Sequence, residues 1–153
     1  MSDAKRASAA AHAGYSGKPL WQKLGLKPRM RVRLVRAPAE YWDWCDFDDA
    51  SVDLVAARAR NVDFVHLFAT ARDDLQRDLV KLAPALADTG TLWISWPKKS
   101  AGVTTDITEG TLRELALPLG LVDVKVCAVT EVWSGLKFVR RVELRAKPAR
   151  KSS

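Results

Sequence analysis

The chain of 153 residues contains two cysteines, two histidines and no apolar run approaching the length of a membrane helix. Cys45 and Cys127 alone cannot build a disulfide framework, and the expected setting is the reducing cytoplasm. A bilayer span needs about 20 consecutive apolar residues, so no membrane association is expected. The first residues, 1–11, lack the apolar core of a signal peptide. His12 and His66 lie far apart and no Cys-x-x-Cys pair occurs, so no metal site is expected. Glycine is missing altogether between Gly25 and Gly90. Gly-x-Ser-x-Gly is absent too, which removes the nucleophile elbow of serine hydrolases.

The formal net charge is +7, and it is unevenly spread. Residues 145–153 carry +4 with no acid, whereas 14–144 carry only +2. The expected organisation is a disordered extension over 1–13, one α/β domain over 14–144 and a disordered basic tail over 145–153. A solvated tail accounts for the basicity, so nucleic acid is not an expected partner.

The most informative stretch runs over 62–97. Residues 62–68 read as a strand, 72–87 as a helix and 91–96 as a second strand. Leu75, Leu79, Leu82 and Leu86 share one helical face, and Asp88, Thr89 and Gly90 signal a turn before the second strand. This βαβ unit implies parallel strands, with ligands expected at their carboxyl ends. Around it, Pro19 opens a short helix that Gly25 stops, 30–36 alternates as a strand, and 39–45 forms a short helix. A strand is expected over 51–55 and a helix over 108–117. Two half-polar strands, 121–129 and 132–144, close the domain as an antiparallel pair. In the first of them Val122, Val124, Val126 and Ala128 share one face, and the turn between the two falls near Glu131 or near Ser134 and Gly135.

The order of elements resembles the class I methyltransferase-like version of the Rossmann architecture, best over 62–144. The run from Leu82 to Ser95 is similar to that fold's fourth helix, glycine turn and fifth strand. The resemblance implies a three-layer, mostly parallel sheet with a C-terminal antiparallel edge hairpin. In that fold a glycine-rich turn after the first strand admits S-adenosylmethionine; here Arg36, Ala37, Pro38, Ala39 and Glu40 follow instead. A closer resemblance, over 14–144, is to an uncharacterised bacterial family, the domain of unknown function 3052. It rests on Gly14-Tyr15-Ser16-Gly17, Leu24-Gly25-Leu26-Lys27-Pro28, Ser95-Trp96-Pro97-Lys98-Lys99 and Trp133-Ser134-Gly135. That family has no established activity, so the resemblance carries over no catalytic residue and leaves any cofactor unassigned.

Candidate binding residues follow from the strand ends. Arg36, Thr70, Trp96, Lys98 and Lys99 sit where an α/β sheet holds its ligands, and two lysines beside hydroxyls suit a small anion. His66 shares the parity of Phe64 and Phe68; a buried, hydrogen-bonded role is favoured over a base or ligand. Asp106, Glu109 and Glu114 fit helix entry and solvation better than acid–base chemistry. Trp133, Ser134 and Gly135 read as a structural corner. Tyr41, Trp42, Trp44 and Phe47 form an aromatic cluster that is either core or a protein-contact surface. Arg31 and Arg33 leave one face of the first strand polar. The expected function is a non-catalytic α/β domain that binds a small anionic ligand, a protein partner or a second copy. The alternative is a divergent S-adenosylmethionine-dependent methyltransferase, or another small enzyme, using a cleft at the strand ends.

Overall fold

The computed structural model describes residues 17–145. Along it lie α1 (Leu20–Leu24), β1 (Arg31–Val35), α2 (Tyr41–Cys45), β2 (Asp53–Leu54), β3 (Val62–Phe68), α3 (Arg72–Ala85), β4 (Leu86–Pro97), α4 (Glu109–Ala116), β5 (Leu121–Ala128) and β6 (Trp133–Arg140). The expected extension 1–13 and residues 146–153 lie outside the described residues, as does the motif start Gly14-Tyr15-Ser16. Arg145, assigned by sequence to the tail, is tied back: its Nε donates to the Arg140 carbonyl at 3.0 Å.

The sheet order is β2-β1-β3-β4-β6-β5. β2, β1, β3 and β4 are parallel, and β6 runs antiparallel to both of its neighbours, β4 and β5. The C-terminal pair is antiparallel as expected, but β6 inserts beside β4 and leaves β5 at the edge. Its turn tip lies near Glu131: the backbone N–H groups of Val129 and Thr130 reach the Trp133 carbonyl, and the Thr130 hydroxyl accepts from Val132 and Trp133.

Helices cover both faces. On one, α3 and α4 bury Leu75, Leu79, Leu82, Leu112 and Ala116 against Val65, Leu67, Leu92, Ile94, Leu136 and Phe138. On the other, α1 and α2 bury Leu20, Leu24, Tyr41 and Cys45 against Val32, Phe64, Phe68 and Trp93. α3 forms from the spacing of its leucines and is capped at both ends by distant groups. The Asp106 carboxylate accepts from the Arg72 N–H at 2.7 Å, and an Arg140 nitrogen donates to the Ala83 carbonyl at 2.9 Å. α4 carries its own capping box between Thr108 and Thr111.

Several expectations need correction. Asp88, Thr89 and Gly90 form no separate turn. Val62 pairs with Leu86 and Phe64 with Thr91, so the extra residues bulge out of β4. Gly90 is needed there because a Cβ would stand 2.8 Å from the Val62 carbonyl oxygen. The expected strand 51–55 shrinks to two exposed residues at the edge. The valine row of β5 does not enter the core: Val122, Val124 and Val126 are exposed, and Leu121 alone of that strand is buried. A register shift between Asp123 and Lys125 also breaks the expected alternation. On the polar face of β1, Arg31 reaches the crossover 55–61 and donates to the carbonyls of Arg60 and Asn61.

Candidate functional site

β1 and β3 end side by side, and the chain turns sharply after β1. Arg36 adopts φ 57°, a left-handed conformation that costs a residue with a Cβ roughly 1–2 kcal/mol. The turn sends its guanidinium across the strand ends. Nε donates to the Phe68 carbonyl at 3.0 Å, and the far nitrogen pairs with Asp78 of α3. Arg36 thus links β1, β3 and α3 at the position where the fold would open its crevice. What remains beside it is a cleft of about 150 Å³ lined by Arg36, Phe68, Ala69, Thr70, Asp74 and Trp133. Pockets for drug-sized ligands typically enclose about 300–1,000 Å³.

Of the residues singled out from sequence, Arg36 and Thr70 meet at this cleft. The Thr70 backbone carbonyl accepts from the Thr105 hydroxyl at 2.6 Å, which fixes the loop before α4 against the end of β3. The other four are elsewhere. Trp96 is 8% exposed and packs in the α3/α4 layer, so it is core. Lys98 spends its backbone N–H on the Val132 carbonyl at 2.8 Å, and Lys99 begins an exposed 3-10 turn. Neither lysine lines the cleft.

His66 lies directly beneath, with no exposed surface. Its Nδ1 is 2.8 Å from the Tyr41 hydroxyl and its Nε2 is 2.8 Å from the Ser95 hydroxyl. Phe68 stacks on the ring at 4.5 Å between centroids. Burial pushes the imidazole pKa down to about 3, so it is neutral at ordinary pH. Burial likewise pushes the Cys45 thiol up to about 12 and raises the Tyr41 phenol well above its ordinary value. The constellation resembles a nucleophile–base pair in its distances alone. Every member is closed off from solvent and held in its neutral form, which is the chemistry of a core network.

Asp106, Glu109 and Glu114 all have structural partners: Asp106 caps α3, Glu109 pairs with Arg113, and Glu114 pairs with Arg72 at 3.0 Å. The aromatic cluster divides. Tyr41 is core, while Trp42, Trp44 and Phe47 pack against that core and stay half-buried, with Trp42 stacked on Phe47. Trp133, read from sequence as a structural corner with a ligand role as the lesser option, lines the cleft, where Phe68 meets its ring edge-on at 5.1 Å. Its neighbour Gly135 has Val129, Cys127 and the Trp93 ring within 3.0–3.3 Å of where a Cβ would stand. Among the described residues, no three metal-ligating side chains cluster and no helix is long and apolar enough to cross a membrane.

A family profile described as "Protein of unknown function (DUF3052)" matches residues 47–142. No curated protein matches the sequence. Solved structures share the fold at low identity. A protein from Sulfolobus solfataricus, assigned as a type 11 methyltransferase, is 17% identical with a TM-score of 0.61, over 84% of this chain and 93% of that one. A SAM-dependent methyltransferase from Aquifex aeolicus is 14% identical with a TM-score of 0.55, over 76% and 85%. A TehB-like SAM-dependent methyltransferase from Corynebacterium glutamicum is 16% identical with a TM-score of 0.50, over 91% and 96%. At such identities the likeness concerns the methyltransferase-like Rossmann fold.

Proposed function

Given that the chain belongs to the DUF3052 family of proteins of unknown function, we propose that it is a non-catalytic α/β binding domain in which Arg36 closes the crevice at the ends of β1 and β3. The observation that carries this reading is the bridge from Arg36 to the Phe68 carbonyl and to Asp78. It stands across the ends of β1 and β3, where open α/β sheets bind ligands. The adjoining cleft of about 150 Å³ is smaller than the pockets of about 300–1,000 Å³ that typically hold drug-sized ligands. It also suits a small anion poorly: Arg36 is already neutralised by Asp78, and the Asp74 carboxylate lines the same space. Of the two kinds of binding, a protein partner is therefore favoured. Both thiols are free, which accords with a cytoplasmic setting.

Calorimetric titration with S-adenosylmethionine and S-adenosylhomocysteine tests the reading. The expected result is no heat of binding at millimolar ligand. Micromolar binding would overturn it in favour of the second reading, a divergent S-adenosylmethionine-dependent methyltransferase. That reading is supported by the shared fold alone, and it requires Arg36 to leave Asp78.

A further inference from the structure

Among the described residues β5 ends the sheet, with β6 on one side and no strand on the other. It is eight residues long, against two for β2 at the opposite edge. Val122, Val124 and Val126 are 36%, 52% and 56% exposed along it. A long apolar edge with free backbone groups is a template for pairing with another chain.

Charge narrows the choice of chain. Register sets Lys125 of β5 beside Lys137 of β6, and like charges directly opposite destabilise a sheet. Partial burial and the nearby Lys125 hold the Lys137 ammonium below its ordinary range. Lys23, Lys125 and Lys98 all act on the Cys127 thiol, and Lys137 stands opposite Lys125, so positive charge gathers along the β5–β6 ladder. Among the described residues, Lys98, Lys125 and Lys137 have no carboxylate partner.

A second copy fits poorly, because an edge lysine and a bulge, here Lys125 and the register shift before it, are devices that resist self-pairing. The chain's own residues 146–153 carry three positive charges and no acid, so they are repelled. Single-stranded nucleic acid is typically held by stacking on aromatic rings, and β5 carries none. We propose that the β5 edge docks an extended acidic segment of a partner protein, which adds a strand to the sheet, covers Val124 and Val126 with apolar side chains and sets carboxylates against Lys125, Lys137 and Lys98. Such strand addition draws affinity from main-chain hydrogen bonds and specificity from alternate side chains. The proposal deepens the binding-domain reading and rests on it.

The test is fluorescence anisotropy of the full chain with a labelled peptide of alternating glutamate and valine. Saturable binding is expected, weakened roughly tenfold or more in Lys125→Glu/Lys137→Glu, since charge reversal replaces attraction with repulsion. Alkylation of Cys127 should slow when the peptide is saturating. If the double variant fails to fold, Lys125→Gln, at an exposed position, should weaken binding several-fold. No saturable binding, or equal binding by the lysine variants, overturns the proposal. So does tighter binding of a short oligouridylate that the same variants abolish, which would assign the face to RNA. Dimerisation in sedimentation that those variants abolish would overturn it in favour of a second copy. The S-adenosylmethionine titration reads a different end of the sheet. Cofactor binding there would remove the non-catalytic reading, whereas peptide failure without cofactor binding removes only this surface.

Discussion

Against α3 and α4 the sheet presents Val65, Leu67, Leu92, Ile94, Leu136 and Phe138; against α1 and α2 it presents Phe64, His66, Phe68, Trp93 and Ser95. The first layer is closed by a helix of 14 residues and one of eight, each long enough to lay down an apolar stripe. The second is closed by two helices of five residues, too short to do so. It is held by aromatic rings and by a few buried hydrogen bonds. The Trp93 indole donates to the Leu24 carbonyl at 2.9 Å, and Tyr41 and Ser95 bracket His66. One layer depends on apolar area, while the other depends also on buried polar groups that must stay neutral.

The largest expected effect tests the first layer. Leu79 is fully buried on α3, and Leu79→Ala should cost about 2–5 kcal/mol in urea denaturation. That loss should be the same at pH 7 and pH 5. A loss that grew as pH fell would mean the two layers share one polar dependence, and the contrast would collapse.

Next in size is the pH dependence of the intact protein, which reports on the second layer. His66 has a folded pKa of about 3, below its ordinary value of 6.5, so the unfolded chain takes up a proton first as pH falls. Its stabilising contribution is complete above pH 6.5 and declines below it. The decline is about 1.4 kcal/mol per pH unit, or roughly 3 kcal/mol by pH 4. At the other end Cys45 is raised to about 12 from 9.0, so stability should fall again above pH 9. Urea titrations from pH 4 to 8 check the acid limb, and His66→Leu should flatten it. A slope that persists in that variant would assign the acid sensitivity elsewhere.

The contrast also explains what was legible in the sequence. The α3 leucines announced their own helix, because period and burial coincide on one continuous segment. The β5 valines alternate just as plainly, yet they lie exposed. Alternation shows that a strand has two faces but not whether anything covers them, and here the covering depends on β6 inserting beside β4. His66 was legible as a paired core residue from its strand parity, whereas Tyr41 and Ser95 as its partners required the whole fold. At the cleft, Arg36 and Thr70 could be placed because strand ends are local features. Phe68, Asp74 and Trp133 come together only through β3, the first turn of α3 and the turn before β6. Lys98 and Lys99 do not line that cleft, because a lysine just beyond a strand end goes wherever the next turn sends it, here into a 3-10 turn that begins at Lys99.

The smallest of the expected effects sharpens the contrast most, because it removes a single atom. Tyr41→Phe keeps the ring that meets His66, Phe68 and Trp42 edge-on and deletes only the hydroxyl. His66 Nδ1 is then buried without its partner, a defect that costs about 1–3 kcal/mol. Leu at position 66 removes the other half of the pair, so the double variant should be less destabilised than the two single losses added together. Coupling between groups in contact typically amounts to about 0.5–3 kcal/mol. A double-mutant cycle by urea denaturation at pH 7 measures it. Strict additivity would mean that the hydrogen bond contributes nothing beyond the packing of the rings. The second layer would then be held by apolar area, as the first one is.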